Sequence, residues 1–378
     1  MEYTKLKNIN EYVSESINPI KFPDTLFEMY SVPIYETGHP EYLRGVEIGS
    51  SKVIVQKNDV LICKINPRIN RVWVVADESE HPNIASSEWI VVRSSTYNPE
   101  FLAWYFRCPK FKRLMTSEVT GIGGSLTRAQ PKAVAEYPVP VLSLKDQEEI
   151  VCILNKVNAV ILARRQELQK LDALIKARFV EMFGDPETNS NGYPSKKLES
   201  LVNDIIAGWS VNGEARQKKD DEKAVLKVSA VTQGFFKPEE HKVLPSDIEI
   251  KKYVFPQKGD LLFSRANTRE LVGATVIIEQ DYPDLLLPDK LWRVLFTNEI
   301  NVYYAKYVLS TESIRKKFSA QSTGTSGSMF NVSSEKFRNI TIPVPSRALQ
   351  DDFEKFVHQV DKSKFTDFIY IYISVFNN

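Results

Sequence analysis

The sequence predicts an α+β protein in which two diverged copies of one module are joined by a long coiled-coil helix and followed by a second, shortened C-terminal helix. Three observations carry that prediction: a repeat that keeps nearly one offset over most of the chain, short β-branched and aromatic runs interleaved with helical patterns in each copy, and an apolar heptad that starts near residue 144. The boundaries read as 1–143 for the first module, 144–186 for the spacer helix, 187–345 for the second module, 346–366 for the second helix and 367–378 for an atypical tail.

The repeat is clearest where Lys57-Asn58-Asp59-Val60-Leu61-Ile62-Cys63-Lys64-Ile65-Asn66 aligns with Lys258-Gly259-Asp260-Leu261-Leu262-Phe263-Ser264-Arg265-Ala266-Asn267, residue 57 matching 258. Both copies read as a turn entering a buried strand. Two residues are then inserted, and the new register pairs Trp89 with Trp292, Lys112 with Arg315 and Arg113 with Lys316. It also pairs Thr120-Gly121-Ile122-Gly123-Gly124-Ser125 with Thr323-Gly324-Thr325-Ser326-Gly327-Ser328, four of the six positions being identical. The same register brings Pro140 onto Pro343, Ser143 onto Ser346 and Gln147 onto Gln350, and at the module starts Leu6 and Ile9 correspond to Leu198 and Leu201.

Within each copy the aromatic-rich stretches Glu100 to Met115 and Val302 to Phe318 read as one helix each, finishing on the basic residues Lys112, Arg113, Arg315, Lys316 and Lys317. Between the modules, Ser143 and Asp146 have the spacing of a capping box, with Pro138 and Pro140 stiffening the approach. From there Leu154, Ile161, Leu168, Ile175 and Met182 occupy one heptad core position and Ile150, Val157 and Leu171 the other, with Arg164 and Arg178 as polar breaks. The helix-pairing set is Leu154, Val157, Ile161, Leu168, Leu171 and Ile175, and Gly184-Asp185-Pro186 stops the helix. Its partner inside the chain starts at Ser346 and carries Phe353, Phe356, Val357 and Val360. After Asp367 the sequence becomes an uncharged, β-prone run.

Composition excludes several classes of function. Lys and Arg number 49 against 48 Asp and Glu, a net charge of +1, so bulk charge argues neither for nor against nucleic acid. The three cysteines, Cys63, Cys108 and Cys152, have no metal or disulfide spacing, and no apolar run is long enough to span a bilayer, which places the chain in the cytoplasm. No Asn/Asp-Pro-Pro-Tyr/Phe motif of adenine methyltransferases is present, and no Gly-Lys-Ser/Thr follows the glycine loops. Glu249-x-Lys251 and Asp221-x-Lys223 resemble the tail of a nuclease motif within charge-rich stretches. His39, His81, His241 and His358 are scattered and read as surface or turn residues, so no catalytic or metal-binding residue is assigned.

Two modules on a heptad helix, the helix-ending block from Leu171 to Pro186, the paired Thr-Gly-x-x-Gly-Ser loops and the Pro-Val-Pro approaches together closely resemble the specificity subunit of type I restriction-modification enzymes. The resemblance implies two target-recognition domains, each reading half of a split DNA sequence, with antiparallel helices as a ruler between them. It further implies two adenine methyltransferase subunits and restriction subunits as partners, and cofactors (S-adenosylmethionine, ATP and Mg) held by those partners, with none bound by this chain. Two non-identical readers on a rigid spacer imply an asymmetric bipartite target. The competing readings are a truncated coiled-coil scaffold that binds partners without reading DNA, and an enzyme with its own nuclease or methyltransferase site.

The candidate DNA-binding residues are Lys64, Asn66 and Arg68 with Arg265, Asn267 and Arg269, where the same polar types recur after equivalent strands and Arg and Asn suit guanine and adenine edges. Gly121, Gly124, Ser125, Gly324, Gly327 and Ser328 join them, because glycine lets backbone N–H groups approach phosphate closely. The plain alternatives are a solvated hairpin and a tight turn. Trp89 and Trp292 read as core residues.

Overall fold

The computed structural model describes residues 2–76, 78–117, 119–120, 127–321 and 330–376, the side chains of 119–120, 321 and 365–376 excepted. It divides into two units, residues 1–164 and 165–378.

In the first unit Tyr3–Lys5 pairs antiparallel with Pro138–Pro140, so the module's first and last strands close on each other. Helix α1 (Leu6–Ile9) then buries Leu6 and Ile9. A five-stranded sheet follows in the order Ser16–Ile17, Lys52–Ile54, Asn83–Ala85, Leu26–Tyr30, Glu41–Arg44. A second sheet has Val60–Cys63 between Val72–Val74 and Trp89–Val92, antiparallel to both. Every residue of Val60–Cys63 is buried because the strand is covered on both faces. Val60 and Ile62 point to one cluster with Phe101, Phe106 and Phe111, and Leu61 and Cys63 to another with Trp73 and Trp89.

The strand begins at a turn that the sequence specifies. Asn58 is left-handed (φ 71°). The fully buried Asp59 accepts the Gln56 N–H at 2.9 Å, and the Arg93 guanidinium forks onto it with both distances 2.7 Å. That bond holds Arg93 above the usual guanidinium range.

The stretch expected as one helix is two, α2 (Pro99–Arg107) and α3 (Pro109–Ser117). Cys108 is extended (ψ 152°) because Pro109 follows it. Asn98 caps α2 by accepting from the Glu100 and Phe101 N–H groups. After α4 (Pro131–Val134) comes α5 (Leu144–Phe183), 40 residues long. At its start Ser143 Oγ accepts from Asp146 N at 3.1 Å and donates to the Asp146 carboxylate at 2.7 Å, so half of the expected capping box forms.

The second unit repeats this plan. Ser195–Lys197 pairs with Thr341–Pro343, followed by α6 (Leu198–Leu201). Leu261–Ser264 lies between Thr275–Ile277 and Leu291–Phe296, with Val202–Ala207 added outside. A three-stranded sheet runs His241–Val243, Ala224–Leu226, Leu285–Leu286, its last pair parallel, as Leu26–Tyr30 is to Asn83–Ala85. The turn returns as Gly259 (φ 86°) and buried Asp260, which accepts the Gln257 N–H at 2.7 Å and pairs with Arg293 Nε at 2.6 Å. Burial raises the Asp260 pKa despite Arg293.

Helices α7 (Val302–Ser310) and α8 (Glu312–Gln321) again replace the single helix expected, with Thr311 extended between them. The basic residues named above therefore lie inside the second helix of each pair and do not end it. Arg315 anchors α8 by donating to the Glu270 and Val272 carbonyls, and burial lowers its pKa. After α9 (Ser334–Arg338), α10 spans Arg347–Phe376. Its backbone carries the run after Asp367 as helix where a β-prone segment was expected. β-Branched and aromatic residues give up only tenths of a kcal/mol each in a helix that is already nucleated.

Within this unit α10 runs antiparallel to the end of α5: Phe353 meets Phe183 and Phe179, the Arg178 guanidinium lies over Phe356, and Lys364 reaches Asp172 at 2.8 Å. The buried face of α5 here is Ile175, Phe179 and Phe183, spaced by four, with the heptad residues Leu171 and Met182 partly buried. This end packs on the module's own Tyr304 and Tyr307 as well as on a helix, so the strict heptad gives way. Of the other pairing residues, Leu154 and Leu168 are half-buried and Val157 and Ile161 are 37% and 44% exposed.

Trp89 and Trp292 are both buried, but they are out of step with each other. Trp89 stands opposite Cys63 while Trp292 stands opposite Phe263, so alternation sends the two rings to opposite faces of the sheet.

Candidate nucleic-acid interface

The central strand of each unit ends at a polar edge. In the first unit Lys64 continues the ladder through its backbone, donating to Glu88 O at 3.0 Å and accepting from Ala129 N at 2.8 Å. Asn66 turns the chain in the left-handed region (φ 49°), its N–H on Thr127 O at 2.8 Å, and Arg68 is exposed. Asn66 is thus a turn former, a role its type favours. Among the described residues no ion pair or hydrogen bond engages the Lys64 ammonium or the Arg68 guanidinium.

The second unit builds the same edge. Arg265 donates its backbone N–H to Lys290 O at 3.0 Å and accepts from Val332 N at 2.8 Å. Asn267 pairs with Phe330, and the guanidinium of exposed Arg269 lies 5.5 Å from the Phe330 ring centroid.

The glycine loops arise at these same edges. Ile65 bridges Arg128, so the strand that follows 121–126, Arg128–Ala129, adjoins Lys64 and Asn66, and Val119–Thr120 pairs with that strand in turn. In the second unit Phe330–Asn331, which follows 322–329, pairs with Ala266–Asn267. Gly121, Gly124, Ser125, Gly324, Gly327 and Ser328 themselves lie outside the described residues.

Two ion pairs at these edges escaped the sequence reading. Arg128 donates Nε and Nη2 to the Glu88 carboxylate, both at 3.3 Å. Arg265 donates Nε to the Asp289 carbonyl at 2.8 Å and Nη2 to its carboxylate at 3.1 Å, and Ser210 Oγ bonds the other carboxylate oxygen at 2.5 Å. Glu88 and Arg128 lie 40 positions apart in sequence, and only the strand register brings the two together. Alignment could have raised one flag, because Arg128 falls on Asn331.

A second pair of residues, matched in sequence without a role, is now placed. Gln147 and Gln350 are fully buried. Gln147 Oε1 accepts the N–H of the cap residue Asn98 at 2.8 Å, and its Nε2 donates to Leu142 O at 3.0 Å. Gln350 does the same to Asn301 N at 2.8 Å and Pro345 O at 2.8 Å. Each glutamine therefore ties the first turn of α5 or α10 to the helix pair of its own module.

Catalytic chemistry gains no geometry. Asp221, Lys223, Glu249 and Lys251 are exposed, and among the described residues no three His, Cys, Asp or Glu side chains gather as metal ligands. His241, expected to be a surface or turn residue, is buried. It lies beside a cavity of about 350 Å³, its Nδ1 2.7 Å from Pro238 O and its Nε2 accepting from Lys218 N at 3.2 Å. With both ring nitrogens engaged by backbone, it is a structural histidine. Among the described residues no helix is long and apolar enough to cross a membrane.

The family model for the type I restriction modification DNA specificity domain matches residues 202–367. The specificity subunit of the type I restriction enzyme EcoEI from Escherichia coli is 26% identical over 161 residues, 42% of this chain and 27% of that protein. The EcoKI specificity subunit from Escherichia coli (strain K12) is 21% identical over 279 residues, 69% of this chain and 58% of that one. The matched segments thus span less than two thirds of either relative. A chain from a structural study of complex assembly and conformational transition in a type I R-M system superposes with a TM-score of 0.51 at 18% identity, covering 96% of this chain and 90% of that one, which shows a shared fold.

Proposed function

We propose that this chain, similar over residues 202–367 to the type I restriction modification DNA specificity domain and in part to two type I specificity subunits, is a specificity subunit and a non-catalytic reader of duplex DNA. It recognises a bipartite, asymmetric target and positions adenine methyltransferase and restriction subunits on it, in the cytoplasm, with S-adenosylmethionine, ATP and Mg held by those partners. The observation that carries this reading is that each unit sets a basic and amide-bearing edge, Lys64 to Arg68 and Arg265 to Arg269, against the strand that follows its glycine loop. Cations at such an edge neutralise phosphate, which makes binding salt-dependent, while Arg and Asn forks discriminate bases.

The test is co-expression with the cognate methyltransferase subunit and mapping of adenine methylation across the host genome. A split motif with two different halves is expected. Methylation without any sequence preference would overturn the reading, and a palindromic motif would mean that one module acts twice in a dimer.

A further inference from the structure

We propose that Arg128 in the first unit and Arg265 in the second are the guanine-reading, specificity-determining residues of their modules, each aimed by the carboxylate-bearing residue beside it. This rests on the DNA-recognition reading above.

The argument starts from which guanidinium nitrogens are occupied. In both units Nε and Nη2 bond to one acidic residue, Glu88 or Asp289. That uses the side edge of the fork and leaves the terminal Nη1–Nη2 edge, whose two parallel donors fit guanine O6 and N7. The acidic partner also fixes the torsions of a long side chain, removing rotamer entropy that binding would otherwise have to overcome. The pairs are accessible, with Arg128 and Glu88 side chains 44% and 29% exposed and Arg265 and Asp289 28% and 34%.

The second step is that the two pairs are not one inherited pair. Arg128 occupies the position of Asn331, and Arg265 that of Lys64, so the arginine stands on opposite members of the same two paired strands. Lys64 and Arg265 share one place in the ladder, bonding Glu88 and Lys290 through their backbones. The carboxylates differ likewise: Glu88 is itself the backbone partner of Lys64, whereas Asp289 is the residue before Lys290, the backbone partner of Arg265. At the scaffold turns the aspartates Asp59 and Asp260 recur at equivalent positions and only their arginines shift along the ladder, whereas at the edge neither member of the pair recurs. The edge keeps the device and moves its origin, which shifts the donor fork relative to the scaffold and gives the modules different registers for guanine.

The test compares complexes of the methyltransferase subunit with the wild-type chain, Arg128→Lys, Arg265→Lys and Glu88→Gln, in competition binding against duplexes that change one base pair of the mapped motif at a time. Lysine keeps the charge and loses the fork. Each arginine variant is expected to lose about 10-fold or more of its discrimination at a guanine in one half-site, with the other half-site unchanged and the salt slope retained. Glu88→Gln is expected to lower discrimination at the same position as Arg128→Lys, by a smaller factor. Unchanged guanine discrimination in both lysine variants, or equal weakening at every position, overturns the assignment while leaving DNA recognition standing. A wild-type complex that discriminates at no position defeats DNA recognition itself and the assignment with it.

Discussion

In the first unit a buried aspartate, Asp59, closes a left-handed turn and is gripped by an arginine from the neighbouring strand. In the second, Asp260 does the same with Arg293. The helix starts repeat as closely, Gln147 on Asn98 and Gln350 on Asn301. At the polar edges this agreement ends: one unit takes its arginine from Arg128–Ala129, the other from the end of Leu261–Ser264. The difference separates residues the module needs in order to fold from residues that, on the reading proposed above, are free to vary with a DNA target.

The sharpest way to break that comparison is at the buried aspartates. Arg93→Met strands a carboxylate that is fully buried, and about 3 kcal/mol of first-unit stability is expected to be lost, read by urea unfolding monitored through limited proteolysis within residues 1–164. Arg293→Met is expected to cost somewhat less, because Arg293 meets Asp260 through one nitrogen where Arg93 uses two. If neither loss exceeds about 0.5 kcal/mol, the shared turns are ornament and not framework.

Next come the glutamines. Gln147→Leu and Gln350→Leu each leave a buried cap N–H and a carbonyl unanswered, at about 2 kcal/mol apiece. Hydrogen exchange of α2 and α7 checks this, with faster opening of α2 expected in the first variant and of α7 in the second. Equal opening of both helices in either single variant would show that each glutamine does not serve its own module.

The smallest effects belong to the turn residues. Gly259→Ala places a Cβ in the left-handed region with no heavy atom within 4 Å, so only backbone strain opposes it, about 1 kcal/mol by thermal unfolding. Asn58→Gly relieves the same strain and is expected to change stability by less than about 0.5 kcal/mol. A larger loss at Asn58 would mean that its side chain does more than tolerate the turn.

Legibility followed the range of the interaction. The turns at Asn58 and Gly259, the strand behind each, the 40-residue helix and its cap at Ser143 depend on residues a few positions apart, and were readable. The paired glutamines were visible as a match, but their function depends on reaching Asn98 and Asn301, 49 residues away in each case. Helical periodicity continued across Cys108 and Thr311 and hid two breaks, although Pro109 was a sufficient sign of the first. The tryptophans align in sequence and diverge in space because the strand register differs by one residue from the alignment, and a one-residue step reverses a strand's faces. At the candidate site Lys64, Arg68, Arg265 and Arg269 were reachable by pattern. Arg128, Glu88 and Asp289 required the sheet register, which no local rule supplies.

At the centre of the joint between each module and its helix lie bonds between neutral amides, Gln147 with Asn98 and Gln350 with Asn301. Charges held at the edges lose their pull as ionic strength rises, whereas buried amide bonds do not. On the DNA-binding reading proposed above, raising salt is therefore expected to release DNA long before it loosens either joint.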